Sequence, residues 1–179
     1  TDQQIMDFCF KPSFAAEAQL LASVRAALIS ETPVNVPKGL KLPFNSACSQ
    51  IYLTLFQRGL KPIRWGARKA DLLTTLQHVV QKLKSLKSFH EFYVADALQC
   101  RILFEMVLEE RDCSIRNLTG LEFCKNRFEP GVTGFKYTYQ GVVRYFMPTD
   151  AVVHSIMSVP QLLNHLAKKS GIAKQTNNV

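Results

Sequence analysis

At 179 residues the chain fits one domain or two closely packed lobes, and it is long enough to bury roughly 70% of its unfolded surface without covalent staples. Its 47% hydrophobic and 20% charged content is ordinary for a globular protein, and no apolar run approaches the ~18 residues that a membrane span needs. The formal net charge of +8 is local: between Arg58 and Lys87 eight basic residues stand against one acid, Asp71, and the rest of the chain is close to neutral.

The first twelve residues carry Phe8 and Phe10 but no sustained period, and they read as an N-terminal arm. They hold no basic leader followed by an apolar core, so no signal peptide is expected. Ser13 can cap a helix running to about Ser30, with Leu20, Leu21, Val24, Ala27 and Leu28 on one stripe. Pro33, Pro37, Gly39 and Pro43 then make residues 32–45 a loop, long enough to suggest a role at a site or interface.

Residues 49–57 (SQIYLTLFQ) read as a central strand, apolar and β-branched on both faces. Arg58-Gly59 allows a tight turn, and residues 61–65 return as a second strand that Pro62 pushes towards an edge. Gly66-Ala67 leads into a helix to about residue 86, striped by Leu72, Leu73, Leu76, Val79, Val80 and Leu83. Residues 88–99 fit neither period. Residues 101–109 alternate Ile102, Phe104, Met106 and Leu108 against charged positions and read as a third main strand, with a helix through the same residues as the competing assignment.

After a polar connection, residues 135–140 and 142–147 form a hairpin around Gln140-Gly141, ended by Pro148. Ser158 with Gln161 makes a capping box for a helix over 159–170, and Gly171 stands at its C′ position. Residues 173–179 read as a flexible tail. The resulting fold class is α+β: an antiparallel sheet packed by about three helices, in one domain over residues 13–172 or two unequal lobes.

Chemical motifs are scarce. The five cysteines (Cys9, Cys48, Cys100, Cys113, Cys124) are odd in number and unpatterned, which favours reduced thiols and a cytoplasmic setting over a disulfide framework. No cysteine or histidine pair has zinc spacing, so no metal and no cofactor are expected. His165, between Leu163 and Leu166, reads as a helix-flank histidine. Neither a nucleophile elbow nor a phosphate-binding glycine loop is present. Cys48, opening a strand after the long loop, is the best thiol for a Cys–His site, although a small buried thiol is the commoner role. Asn117-Leu118-Thr119 is a chance-frequency glycosylation triplet.

The basic stretch is the strongest functional signal. Arg58, Lys61, Arg64, Arg68 and Lys69 crowd a turn and a helix start, and Trp65 offers a stacking face. An acidic protein, another polyanion or nucleic acid would be drawn to such a surface. A solvated helix face accounts equally well for Lys82, Lys84 and Lys87.

The order of elements resembles the AMMECR domain family, whose members show FVTL-x-x-x-G-x-LRGCIG, a helix, GxxG, Leu-Pro and a terminal FL-x-x-L-x-x-KAGL. Residues 52–56 with Gly59 match the first strand and turn, and Arg64 matches the arginine. Gly131 and Gly134 match the paired glycines, Met147-Pro148 the Leu-Pro, and Leu162, Leu163, Leu166, Lys169 and Gly171 the terminal helix. IRWGAR replaces RGCIG, so the family's cysteine is missing. The resemblance implies an α+β fold of two unequal lobes more than it implies an activity.

Taken together, the residues favour a non-catalytic binding or accessory module with a basic surface over residues 58–69. The alternatives are a thiol-dependent enzyme using Cys48 or another thiol in the groove between lobes, and a nucleic-acid-binding protein; which of Arg58, Arg64, Trp65, Cys48 and Tyr145 line the largest cleft is the most informative structural observation.

Overall fold

The computed structural model describes residues 14–45, 49–94, 97–110, 128–139 and 141–170. The chain divides into two compact units, Thr1–Glu110 and Arg111–Val179. The expected α+β class is what forms, with antiparallel strand pairing throughout the described sheets.

The first unit is built on a three-stranded sheet in which β1 (Ile51–Phe56) lies between β2 (Ile63–Ala67) and β5 (Arg101–Met106). Its central strand β1 (Ile51–Phe56) is buried on both faces, as its unbroken apolar and β-branched run dictates. Strand β2 (Ile63–Ala67) pairs with it across the Arg58-Gly59 turn, and Gly59 supplies the positive φ of 86° that this turn needs. On the other side, β5 (Arg101–Met106) sets Ile102, Phe104 and Met106 opposite Leu55, Leu53 and Ile51. The strand assignment for this segment therefore holds over the helical one.

Helix α1 (Phe14–Ile29) buries Leu20, Val24, Ala27 and Leu28, and helix α2 (Leu72–Lys84) buries Leu76, Val79, Val80 and Leu83. These join Ile51, Leu53 and Leu55 in one hydrophobic core. α2 starts five residues later than Gly66-Ala67 suggested. Those two residues remain in β2, where Gly66 faces Tyr52 across the ladder, and Asp71 caps the helix by accepting from the Thr74 N–H at 2.7 Å.

The stretch that fitted neither period becomes a 3-10 turn (Lys87–Phe92) and a small hairpin of β3 (Tyr93–Val94) and β4 (Ala97–Leu98). Phe89 and Phe92 anchor it in the core. The proline-rich loop packs down onto the same core: Val34 is buried, and Val36, Leu40, Leu42 and Phe44 pack against it.

The second unit contains the hairpin of β6 (Phe135–Tyr139) and β7 (Val142–Phe146), with Gly141 at φ 75° in its turn. Pro148 ends β7 but also occupies the first position of a short helix, α3 (Pro148–Val153), where its missing donor costs nothing. The Asp150 carboxylate accepts the Met147 N–H at 2.9 Å and closes that turn. Helix α4 (Val159–Ser170) follows. Gln161 folds back as expected, but it accepts from the Met157 N–H at 2.8 Å instead of closing a box on Ser158. Phe146, Ala151, Ile156 and Leu162 form this unit's core, with Phe128, Phe135 and Leu166 packed against it. The arm, Gly171 and the tail lie outside the described residues.

Candidate functional site

Three segments of the first unit meet where β1 ends and β5 begins. Phe56 lies opposite Arg101 in the ladder, and Gln57 and Arg58 carry the chain out of β1 into the turn. Leu98, Gln99 and Cys100 form the tight passage from β4 into β5. Such a passage leaves carbonyls without ladder partners, and they need donors from elsewhere.

Arg25 supplies them. It stands beside the fully buried Val24 on α1, so its stem runs along the core edge and its head reaches the passage. Nη1 donates to the Leu98 carbonyl at 2.8 Å and Nη2 to the Cys100 carbonyl at 2.7 Å. Charge-assisted bonds of this length are roughly twice as strong as neutral ones. The guanidinium thereby ties α1 to β4 and to the passage that precedes β5. Tyr93 adds a second tie, its hydroxyl donating to the Leu28 carbonyl at 3.0 Å.

The result is an open, shallow cleft of about 700 Å³ whose lining, among the described residues, comprises Arg25, Phe56, Gln57, Arg58, Leu98, Gln99, Cys100 and Arg101. Among the described residues that line it, three are arginines and none is acidic. Arg58 and Arg101 are exposed at the rim. The Oε1 of Gln57 is buried and has no hydrogen-bond partner among the described residues, which is rare for a buried polar atom. Burial pushes the Cys100 thiol above its ordinary range, against the opposing pull of the Arg25 guanidinium. A thiol held neutral in this way is a poor nucleophile.

The residues singled out from sequence are spread over the unit. Arg58 lines the cleft, while Lys61 is exposed outside its lining. Arg64 Nε donates to the Oγ1 of the buried Thr54 at 2.7 Å, a bond across the β1–β2 pair. Trp65, next in the strand, points to the opposite face by strand alternation and is 36% exposed. Arg68 and Lys69 follow the far end of β2, and a five-residue strand separates them from the turn by roughly 16 Å. Lys69 leads into α2, its N–H donating to Thr75 Oγ1. After burial, the Lys69 charge is the next cause holding His78 below its ordinary pKa. Tyr145 is an exposed residue of β7 in the second unit. Cys48 lies outside the described residues.

Arg25, Gln57, Gln99 and Arg101 were not legible as site residues. The available signal was Arg25 interrupting an apolar helical stripe, which marks a charge held against the core for a reason. Among the described residues, no group of three or more histidine, cysteine, aspartate or glutamate side chains is placed to hold a metal ion. Likewise, no helix among them is long and apolar enough to cross a membrane. Comparison with protein-family models, curated proteins and solved structures finds no match for this chain.

Proposed function

We propose that the chain is a non-catalytic binding domain that captures an anionic group in the cleft between α1, the β1–β2 turn and the β4–β5 passage. One observation carries this reading: Arg25, Arg58 and Arg101 line one concavity whose lining, among the described residues, includes no carboxylate. Like charges gathered without a counter-charge repel one another, and an anionic ligand relieves that repulsion. Arginine suits the role because its planar fork matches carboxylate and phosphate oxygens two at a time.

The same geometry speaks against a thiol enzyme at this site, since burial disfavours the Cys100 thiolate. On this reading the resemblance to the AMMECR domain family concerns architecture, and the missing RGCIG cysteine costs the protein nothing.

Calorimetric titration with inorganic phosphate at low ionic strength tests the proposal. Arg58→Ala and Arg101→Ala should each weaken binding by about tenfold, equivalent to ~1.4 kcal/mol. As exposed positions, both should leave stability within about 0.5 kcal/mol of wild type. Unchanged affinity in both variants would remove the cleft as the binding site.

A further inference from the structure

On the premise that the cleft binds anions, we infer that it selects a small anion carrying a flat aromatic ring beside its charged group, such as an aryl phosphate, over a bare inorganic anion and over a polyanionic chain.

Leu55 and Phe56 are neighbours in β1, so their side chains leave opposite faces of the sheet. Leu55 is fully buried in the first unit's core. Phe56 is therefore turned away from that core, is only half-buried, and lines the cleft. Its ladder partner is Arg101, and directly opposed residues share a face with their Cβ atoms about 5 Å apart. An aromatic ring and an exposed guanidinium thus stand side by side at the end of the sheet. Arg58, two residues beyond Phe56, adds a second exposed guanidinium to the same cleft. A ligand whose ring lies against Phe56 presents an attached anionic group to these two forks. Arg25 contributes mainly charge, because its two terminal nitrogens already donate to the carbonyls of Leu98 and Cys100.

The shape of the cleft favours the same class. In an open, shallow concavity a bare phosphate stays hydrated and gains little beyond screened charge. A flat ring needs only one face to stack on, and Phe56 offers one. A polyanion, by contrast, gains affinity from many phosphate contacts along a continuous basic track. Along β2 no such track leads from the cleft: Arg64 is bonded to Thr54 within the sheet, and Arg68 and Lys69 stand at the other end of the strand.

Methyl, cyclohexyl and phenyl phosphate are matched probes that share one charged group and differ in body. In calorimetric titration at low ionic strength, wild type should bind phenyl phosphate about tenfold more tightly than methyl phosphate, as one stacked ring provides. It should bind phenyl phosphate about threefold more tightly than cyclohexyl phosphate, which has similar bulk but no π face. Phe56→Leu keeps an apolar strand residue and should erase the phenyl-over-cyclohexyl preference, while Phe56→Tyr, which keeps the ring, should retain it. A single strand of about 20 nucleotides should bind no more tightly than phenyl phosphate.

Equal affinity of wild type for phenyl and methyl phosphate, or for phenyl and cyclohexyl phosphate, would overturn this inference while leaving anion capture standing. A phenyl preference that survives in Phe56→Leu would do the same by placing the ring elsewhere. If Phe56→Leu does not fold, the wild-type comparison of the three esters decides alone. A single strand that binds about tenfold more tightly, with a steep salt dependence, would overturn it in favour of a polyanion. If none of these ligands binds, the anion-binding reading itself fails, and this inference with it.

Discussion

Gly66 and Arg25 show how single residues decide more than their sequence context announces. A Cβ at Gly66 would run into the ring of Tyr52, its partner across the ladder, which is buried and fixed in place. Gly66→Ala should therefore cost about 1–3 kcal/mol, the usual range for forcing extra atoms into a packed position. A shift in the urea midpoint measures it, and a variant as stable as wild type would mean that the Tyr52 ring moves aside freely.

Arg25→Met keeps most of the apolar stem and removes both bonds to the β4–β5 passage. It should destabilise the protein by about 2–3 kcal/mol, chiefly from two carbonyls left without donors. Arg25→Lys should recover only part of that loss, because an ammonium is a point charge and not a fork. Turn glycines such as Gly59 and Gly141 were legible in sequence because a tight turn between strand-like runs requires positive φ. Gly66 was not: its reason lies in a residue fourteen positions away that only strand register brings opposite.

At the level of elements, the strands and helices that bury a face were readable, because burial imposes the period that was read. β1, β5, α1, α2 and the β6–β7 hairpin fall close to their expected places for that reason. Short elements without a period escaped: the 3-10 turn, the β3–β4 hairpin and α3 are held by tertiary anchors such as Phe92 and by local caps such as Asp150.

α3 and α4 also bring His154 and His165 together, with ring centroids 4.7 Å apart and the His165 ring set edge-on to Phe146. Burial, then Lys169 and His154, hold His165 below its ordinary pKa of 6.5, with Lys168 adding to them and Asp150 opposing. The unfolded chain thus takes up a proton near pH 6.5 that the folded chain refuses, and stability falls as pH drops through that value. Amide exchange of residues 142–170 should show protection lost progressively below pH 6.5, and His165→Leu should remove that component. An identical pH profile in the variant would place the acid sensitivity elsewhere. Asp71 acts in the same direction at lower pH, since its carboxylate is held below 3.8 by the Thr74 N–H and hydroxyl.

For the whole molecule, the surplus of positive charge was plain from composition, but its location was not. A linear stretch of five basic residues suggested one surface, while a strand in the middle of that stretch sends its ends apart and turns alternate residues to opposite faces. The cleft draws on residues 25, 56–58 and 98–101, distant in sequence and joined by sheet register. Only Arg58 belongs to both descriptions. Retention on a polyanionic resin would reflect net charge wherever it sits, so it cannot distinguish the cleft from the stretch.

Chemical-shift mapping with added inorganic phosphate can. The account predicts that the largest changes fall on the Arg58 and Arg101 side-chain Nε–H resonances and the amides of Gln57, Gln99 and Cys100, with Arg68 and Lys69 nearly unmoved. Shifts centred on Arg68 and Lys69, or spread evenly over all basic side chains, would contradict it.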